Sequence, residues 1–190
     1  MALKYLGQFI IFFICITLTS CSFLKTLVKE QQWSENYALA EGVEASDPAL
    51  IDGDLKTVGE SQFPDTERTE GLVSSSDFPP SEAVVILPEK KSIYKIVIHT
   101  TNIQVFDILA RDESGGWDKV KEVKGNNEEV VDLKLNRIVI TDGIKIRVKR
   151  TSDDASKRRQ NTRRIEGWTI ISGNIRGSGK IKEIELYGYV

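Results

Sequence analysis

The sequence predicts an all-β fold, a β-sandwich of antiparallel strands. Three observations point there. From residue 83 onward the apolar residues come in short, β-branched runs. Alternation is clear in Ile144-Lys145-Ile146-Arg147-Val148-Lys149, and recurs with one slip in Ile181-Lys182-Glu183-Ile184-Glu185-Leu186-Tyr187. Such period-two runs with one apolar face fit strands packed on one side. Turn-forming clusters separate the runs: Pro88-Glu89-Lys90, Glu113-Ser114-Gly115-Gly116, Gly125-Asn126-Asn127 and Asp142-Gly143. Many short strands with no interleaved helices argue for a sandwich.

In chain order, the first element is a leader. Lys4 precedes an apolar run, Phe9 to Leu18, broken only by Thr17. A basic start, a short apolar core and small residues before a cut site read as a secretory signal. The run is shorter than the roughly 20 apolar residues of a membrane span. It ends Leu18-Thr19-Ser20-Cys21. That ending resembles a bacterial lipobox. The resemblance implies cleavage before Cys21, with lipid on its sulfur and on the new amino group. It further implies a lipid-anchored bacterial envelope protein. Ser22 after the Cys favours the outer membrane by analogy with lipoprotein sorting.

Removing residues 1–20 leaves 170 residues, enough for one core, with 25 Lys+Arg against 28 Asp+Glu and a net charge of −3. An exported, net acidic chain is a poor partner for nucleic acid. Cys15 leaves with the signal and Cys21 would be acylated, so no disulfide is expected.

The expected organisation is a signal peptide over residues 1–20, a lipidated tether over 21–36 and one domain over 37–190. The tether holds no Gly or Pro, but Phe23, Leu27 and Trp33 make no continuous helical stripe. Residues 44–82 are rich in Asp, Glu, Ser, Gly, Pro and Thr and read as loops. The expected strands cover 83–87, 93–98, 103–110, 117–123, 129–135, 137–140, 144–150, 165–175 and 181–187.

Four stretches, in order, resemble the discoidin-like domain, also called the coagulation-factor C-type or galactose-binding-like jelly roll. They are Ala38 to Thr57 with its Asp52-Gly53-Asp54-Leu55-Lys56-Thr57 loop, Ala83 to Ile98, Phe106 to Val120 with Trp117, and the ending Ile181 to Gly188. The resemblance covers about residues 38–190 and implies a jelly-roll β-sandwich. Val58-Gly59-Glu60 stands where the family often has Trp, and the family's Cys pair is absent. A bacterial, glycan-binding or uncharacterised branch is therefore the nearer model.

The Asp52–Thr57 loop is the first candidate site. Calcium takes six to eight hard oxygens from carboxylates, hydroxyls and carbonyls. The family pattern implies a structural calcium held by Asp52, Asp54, Thr57 and, from the last strand, Glu183, with carbonyls of Ala49 and Lys182 adding to it. The plain alternative is a turn in which Asp52 caps local amides. Trp117 is expected in the core, and Trp168 either in the core or as a ligand platform. Phe63 and Phe78 are expected under the loops. Lys157-Arg158-Arg159 and Arg163-Arg164 form a basic cluster, read either as a solvated loop offset by Asp153 and Asp154 or as a binder of acidic glycan or lipid headgroups. The single His, His99, reads as a strand-edge residue. No nucleophile–base set is visible, and no carboxylate pair stands out for glycoside hydrolysis.

The expected function is a non-catalytic binding module for carbohydrate, with Trp168, Arg163 and Arg164 at the ligand. A structural or assembly protein that binds another envelope protein is the second reading. A hydrolase is the third.

Overall fold

A computed structural model describes residues 32–64 and 78–190. The signal peptide, Cys21 and most of the expected tether lie outside the described residues. The ordered elements are β1 (Glu44–Ala45), β2 (Gly59–Glu60), β3 (Ser81–Thr100), β4 (Ile103–Arg111), β5 (Trp117–Lys124), β6 (Val130–Thr151), α1 (Asp154–Asn161), β7 (Thr162–Ile165), β8 (Trp168–Ile171) and β9 (Lys180–Tyr187). Single 3₁₀ turns at Tyr37–Leu39 and Pro48–Leu50 precede β1 and β2. Among the described residues no helix is long and apolar enough to cross a membrane.

The hydrogen-bonded order is β2-β9-β3-β6-β4-β5, with β1 on β3 and β7–β8 apart as a hairpin. Two long strands carry the architecture. The start of β3 pairs with the end of β6, from Ser81↔Val148 to Ile86↔Gly143. The rest of β3 pairs with the start of β6, from Lys91↔Thr141 to His99↔Val130, and on its other side with β9. Strands that bend in this way pass from one sheet to the other and close a sandwich. At the bend the residues between Ile86 and Lys91 oppose only Asp142. The expected turns Pro88-Glu89-Lys90 and Asp142-Gly143 lie here. They bend their strands without ending them, so 83–87 joins 93–98 and 137–140 joins 144–150; 129–135 also runs on into 137–140.

Side-chain chemistry fixes the bend. Thr141 is fully buried; its hydroxyl donates to Arg111 O at 2.9 Å and accepts from Gly143 N at 3.1 Å. A Cβ on Gly143 would come within 3.0–3.2 Å of Ile86, Arg111 and Trp117, so only glycine lets these segments approach.

The core lies between the two sheets. It takes Ala83, Val85, Ile96 and Ile98 from β3 and Phe106 and Ile108 from β4. Ile144, Ile146 and Val148 of β6 and Ile181, Ile184 and Leu186 of β9 complete it. Each such buried Val, Leu, Ile or Phe contributes roughly 1.5–3 kcal/mol over an exposed one. The slip in the β9 alternation is a β-bulge: His99 faces Glu183, but Thr100 faces Ile181, leaving Lys182 over. The bulge keeps Ile181, Ile184 and Leu186 all inward and turns Glu183 to the outer face.

Two expectations are corrected. Residues 154–161 form a helix, α1, with no buried residue. Lacking an apolar stripe it has no periodicity to read, although Asp154 in its first turn and Arg158 and Arg159 in its last suit the helix dipole. The run 165–175 is not one strand, because the chain reverses at Glu166-Gly167. Among the described residues, the compact unit runs from Trp33 to Tyr189. Trp33 stacks on Tyr189 with centroids 4.6 Å apart, and Asn36 Oδ1 accepts from Ala38 N and Leu186 N.

These contacts orient the unit. The chain enters beside Tyr187–Tyr189. The segment carrying α1 and β7–β8 joins Thr151 to Lys180 at the opposite end of β9, roughly 25 Å away at strand rise.

Candidate binding site

Three features gather at that opposite end or along β9 close to it. The first is the Asp52–Thr57 loop. Asp52 Oδ1 accepts from Asp54 N at 2.9 Å, and Thr57 Oγ1 lies 2.7 Å from Asp52 Oδ2 and 2.8 Å from the Asp54 carbonyl. Gly53, at φ +75°, turns its N–H to Glu183 Oε2 at 3.0 Å, joining the first loop to the last strand across 130 residues. Glu183 is only 3% exposed, and among the described residues its buried Oε1 has no hydrogen-bond partner. Burial pushes its carboxyl above the usual range; the charges of Asp52 and Glu185 push the same way against the Gly53 N–H. Asp52 is shifted down by the Asp54 N–H and the Thr57 hydroxyl. Asp54 Oδ1 accepts from Lys56 N at 3.0 Å.

Among the described residues no three His, Cys, Asp or Glu side chains form a metal-binding group. A cation here would take Asp52 and Glu183 as its carboxylates, with the Thr57 hydroxyl and main-chain carbonyls. The orphaned Glu183 oxygen beside the Asp52 charge fits a hard cation, because an unpartnered buried carboxylate oxygen is otherwise costly.

The second feature is an open, polar cleft of about 200 Å³. Thr101, Asn102, Gln104, Asn126, Asn127 and Glu128 contribute to its wall. Two asparagines hold its frame: Asn102 bonds Asp153, Ser178 O and Lys180 N, while Asn126 bonds the carbonyls of Ile103 and Glu128. Sequence reasoning missed this cleft. Its one local signal, Gly125-Asn126-Asn127, reads equally well as a turn.

The third is the β7–β8 hairpin. Its turn residues Glu166 and Gly167 both have positive φ, +50° and +86°, as a type I′ turn requires. Register pairs Arg163 with Ile170, Arg164 with Thr169 and Ile165 with Trp168. Directly paired residues share a face, so Arg163, Ile165, Trp168 and Ile170 form one face. Arg164 lies on the other, apart from the Trp168 and Arg163 with which the sequence grouped it. Trp168 is 68% exposed and belongs to no core.

No family model and no curated protein matches this sequence. Solved structures do match it. Chitosan-binding module 1 from the chitosanase/glucanase of Paenibacillus sp. IK-5 superposes with a TM-score of 0.52 at 14% identity, over 82% of this chain and all of that one. The family 32 carbohydrate-binding module of C. perfringens NanJ, in complex with galactose, gives 0.52 at 16% identity, over 83% and 100%. Chitosan-binding module 2 of the Paenibacillus enzyme, in complex with chitotriose, gives 0.51 at 14%, over 80% and 100%. The chain is a jelly-roll β-sandwich of this kind. The likeness supports the jelly-roll fold expected from the four sequence stretches.

Elsewhere on this jelly roll, two sequence readings change. Trp117 is not in the core: it is half-buried on the outer side of β5, with the Lys145 ammonium 4.5 Å from its ring centroid. His99 is not at a sheet edge, since β3 is paired on both sides there. Its Nε2 lies 2.9 Å from Glu185 Oε1, and Tyr187 donates to the same carboxylate at 2.7 Å. Phe78 packs inward as expected, and Phe63 is half-buried.

Proposed function

We propose that this chain is a non-catalytic carbohydrate-binding module, lipid-anchored through Cys21 in a bacterial cell envelope. One observation carries the carbohydrate reading. The sandwich end away from Trp33 presents both a polar, amide-lined cleft and a hairpin with an exposed Trp168. Amide and hydroxyl groups suit sugar hydroxyls, and an exposed indole suits the C–H face of a pyranose. The fold supports this reading, because the matching structures named above are modules that bind chitosan or hold galactose. A rigid frame with recognition on its loops is how such sandwiches divide labour.

The anchor reading rests on the Leu18-Thr19-Ser20-Cys21 sequence. In the clamp, Asp52, Thr57 and Glu183 would hold a structural calcium, which adds cross-linking and charge neutralisation but no catalysis.

A glycan array probed with the full chain in non-ionic micelles tests the function. Saturable binding to a saccharide class is expected. Capture of an envelope protein with no saccharide bound favours the assembly role instead.

A further inference from the structure

The segment between β6 and β9 differs electrically from the rest of the molecule. Residues 152–179 hold six Lys or Arg against three Asp or Glu, while the whole chain is net −2. Asp153 and Asp154 do not offset these cations. Asp153 pairs with Lys180 at 3.1 Å and accepts from Asn102. Asp154 accepts from the Thr151 hydroxyl at 2.7 Å and Gly177 N at 2.9 Å. Both carboxylates are thus spent on anchoring the segment to the sandwich. Among the described residues none of Lys157, Arg158, Arg159, Arg163 and Arg164 has an ion pair within 4.0 Å. The hairpin that follows α1 in the chain carries the face of Arg163, Ile165, Trp168 and Ile170, with Ile165 52% and Ile170 45% exposed.

We infer that this face, together with the cations of α1, binds acidic polysaccharide. The inference rests on the carbohydrate reading above and names the ligand class. Arg forks match carboxylate and sulfate groups. An indole flanked by isoleucines offers an apolar surface to sugar rings between those groups. The cations spread along an eight-residue helix and a strand, a span that suits a polymer better than a single sugar. A bilayer fits less well. Glu166 stands at the hairpin tip, and the surface lies at the end of β9 away from chain entry.

Affinity electrophoresis of the full chain in non-ionic micelles tests this, with gels containing polygalacturonate, heparin or neutral dextran. Retardation is expected in both acidic gels, and salt should abolish it, because exposed charges are screened. Replacing Arg158, Arg159 and Arg163 together by Ser should weaken it about tenfold or more. Trp168→Ala should weaken it and Trp168→Tyr largely restore it. Arg163→Ser should cost more than Arg164→Ser, which a mere count of charges would not produce. Melting curves check that each variant folds. Equal retardation in dextran, none in either acidic gel, or variants that run as wild type would overturn the proposal. So would release of the chain from the acidic gels by micelles containing phosphatidylglycerol but not by added polygalacturonate. Saccharide binding on the array without retardation by polyanions defeats this inference alone; no saccharide binding at all defeats the carbohydrate reading with it.

Discussion

Glu183 is the residue on which the clamp turns. It is a buried carboxylate with one oxygen held by Gly53 and the other unpartnered. A cation bound only by the folded state would stabilise it by RT ln(1 + [L]/Kd), roughly 2.7 kcal/mol at a hundredfold excess over Kd. The protein should therefore melt higher in millimolar calcium than in chelator. Glu183→Gln or Asp52→Ala should erase most of the difference; an unchanged increment in both variants refutes the clamp. The pH dependence has a definite sign. Because the carboxyl is shifted up, the folded state holds its proton more tightly than the unfolded chain. Its contribution is full below the ordinary carboxylate range and is lost as pH rises through the raised value. In chelator, wild type should lose stability over that interval and Glu183→Gln should lose less. Calcium should remove the loss, since it favours the ionised form.

At the scale of elements, the hairpin and the bends show how one sequence signal serves different ends. Glu166 pays about 1–2 kcal/mol for its left-handed backbone, whereas Gly167 adopts φ +86° freely. Gly167→Ala should therefore loosen β7–β8, and Glu166→Asn should tighten it. Hydrogen exchange at the β7 and β8 amides reads both changes, while the amides of β3 and β6 should not respond. Turn-forming residues were legible at 125–127, between β5 and β6, and at three further sites, 88–90, 113–116 and 142–143. Only at Gly115-Gly116 do they close a hairpin, with Asp112 N bonded to Gly116 O at 3.0 Å. At the other two sites the strands continue, because each turn cluster lies opposite the other in the β3–β6 ladder. The missed helix has the converse cause: α1 buries nothing, so no apolar period marks it.

At the scale of the molecule, one core carries the stability. Ile146 and Ile108 are fully buried and pair across β6 and β4. Ile146→Ala should cost about 2–5 kcal/mol in chemical denaturation, a loss no surface change in the hairpin would approach. Trp33→Ala should cost about 0.5–1.5 kcal/mol beyond its lost buried area, because the stack on Tyr189 joins the two ends of the unit. The anchor belongs to this scale too. Cys21→Ala should abolish labelling by a fatty-acid analogue, and equal label in the variant would refute lipidation. Two or more acyl chains would hold firmly, at about 0.8 kcal/mol per buried CH₂.

The sequence by itself determined the fold class, most strand positions and the inward side chains, because period-two alternation is written residue by residue. It also placed the Asp52–Thr57 loop and Glu183 as partners, through a family resemblance and not through any local signal. Only the tertiary structure decided where charges end. Asp153 and Asp154 stand beside the arginines in sequence, yet they bond Lys180 and Gly177 in space. Arg163 and Arg164 are adjacent in sequence and lie on opposite faces of a strand. Trp117 and Trp168 both start strands, and both lie outside the core. Alternation tells which residues share a face; which face meets the core depends on pairings between strands far apart in sequence, and those exist only once the sandwich has closed.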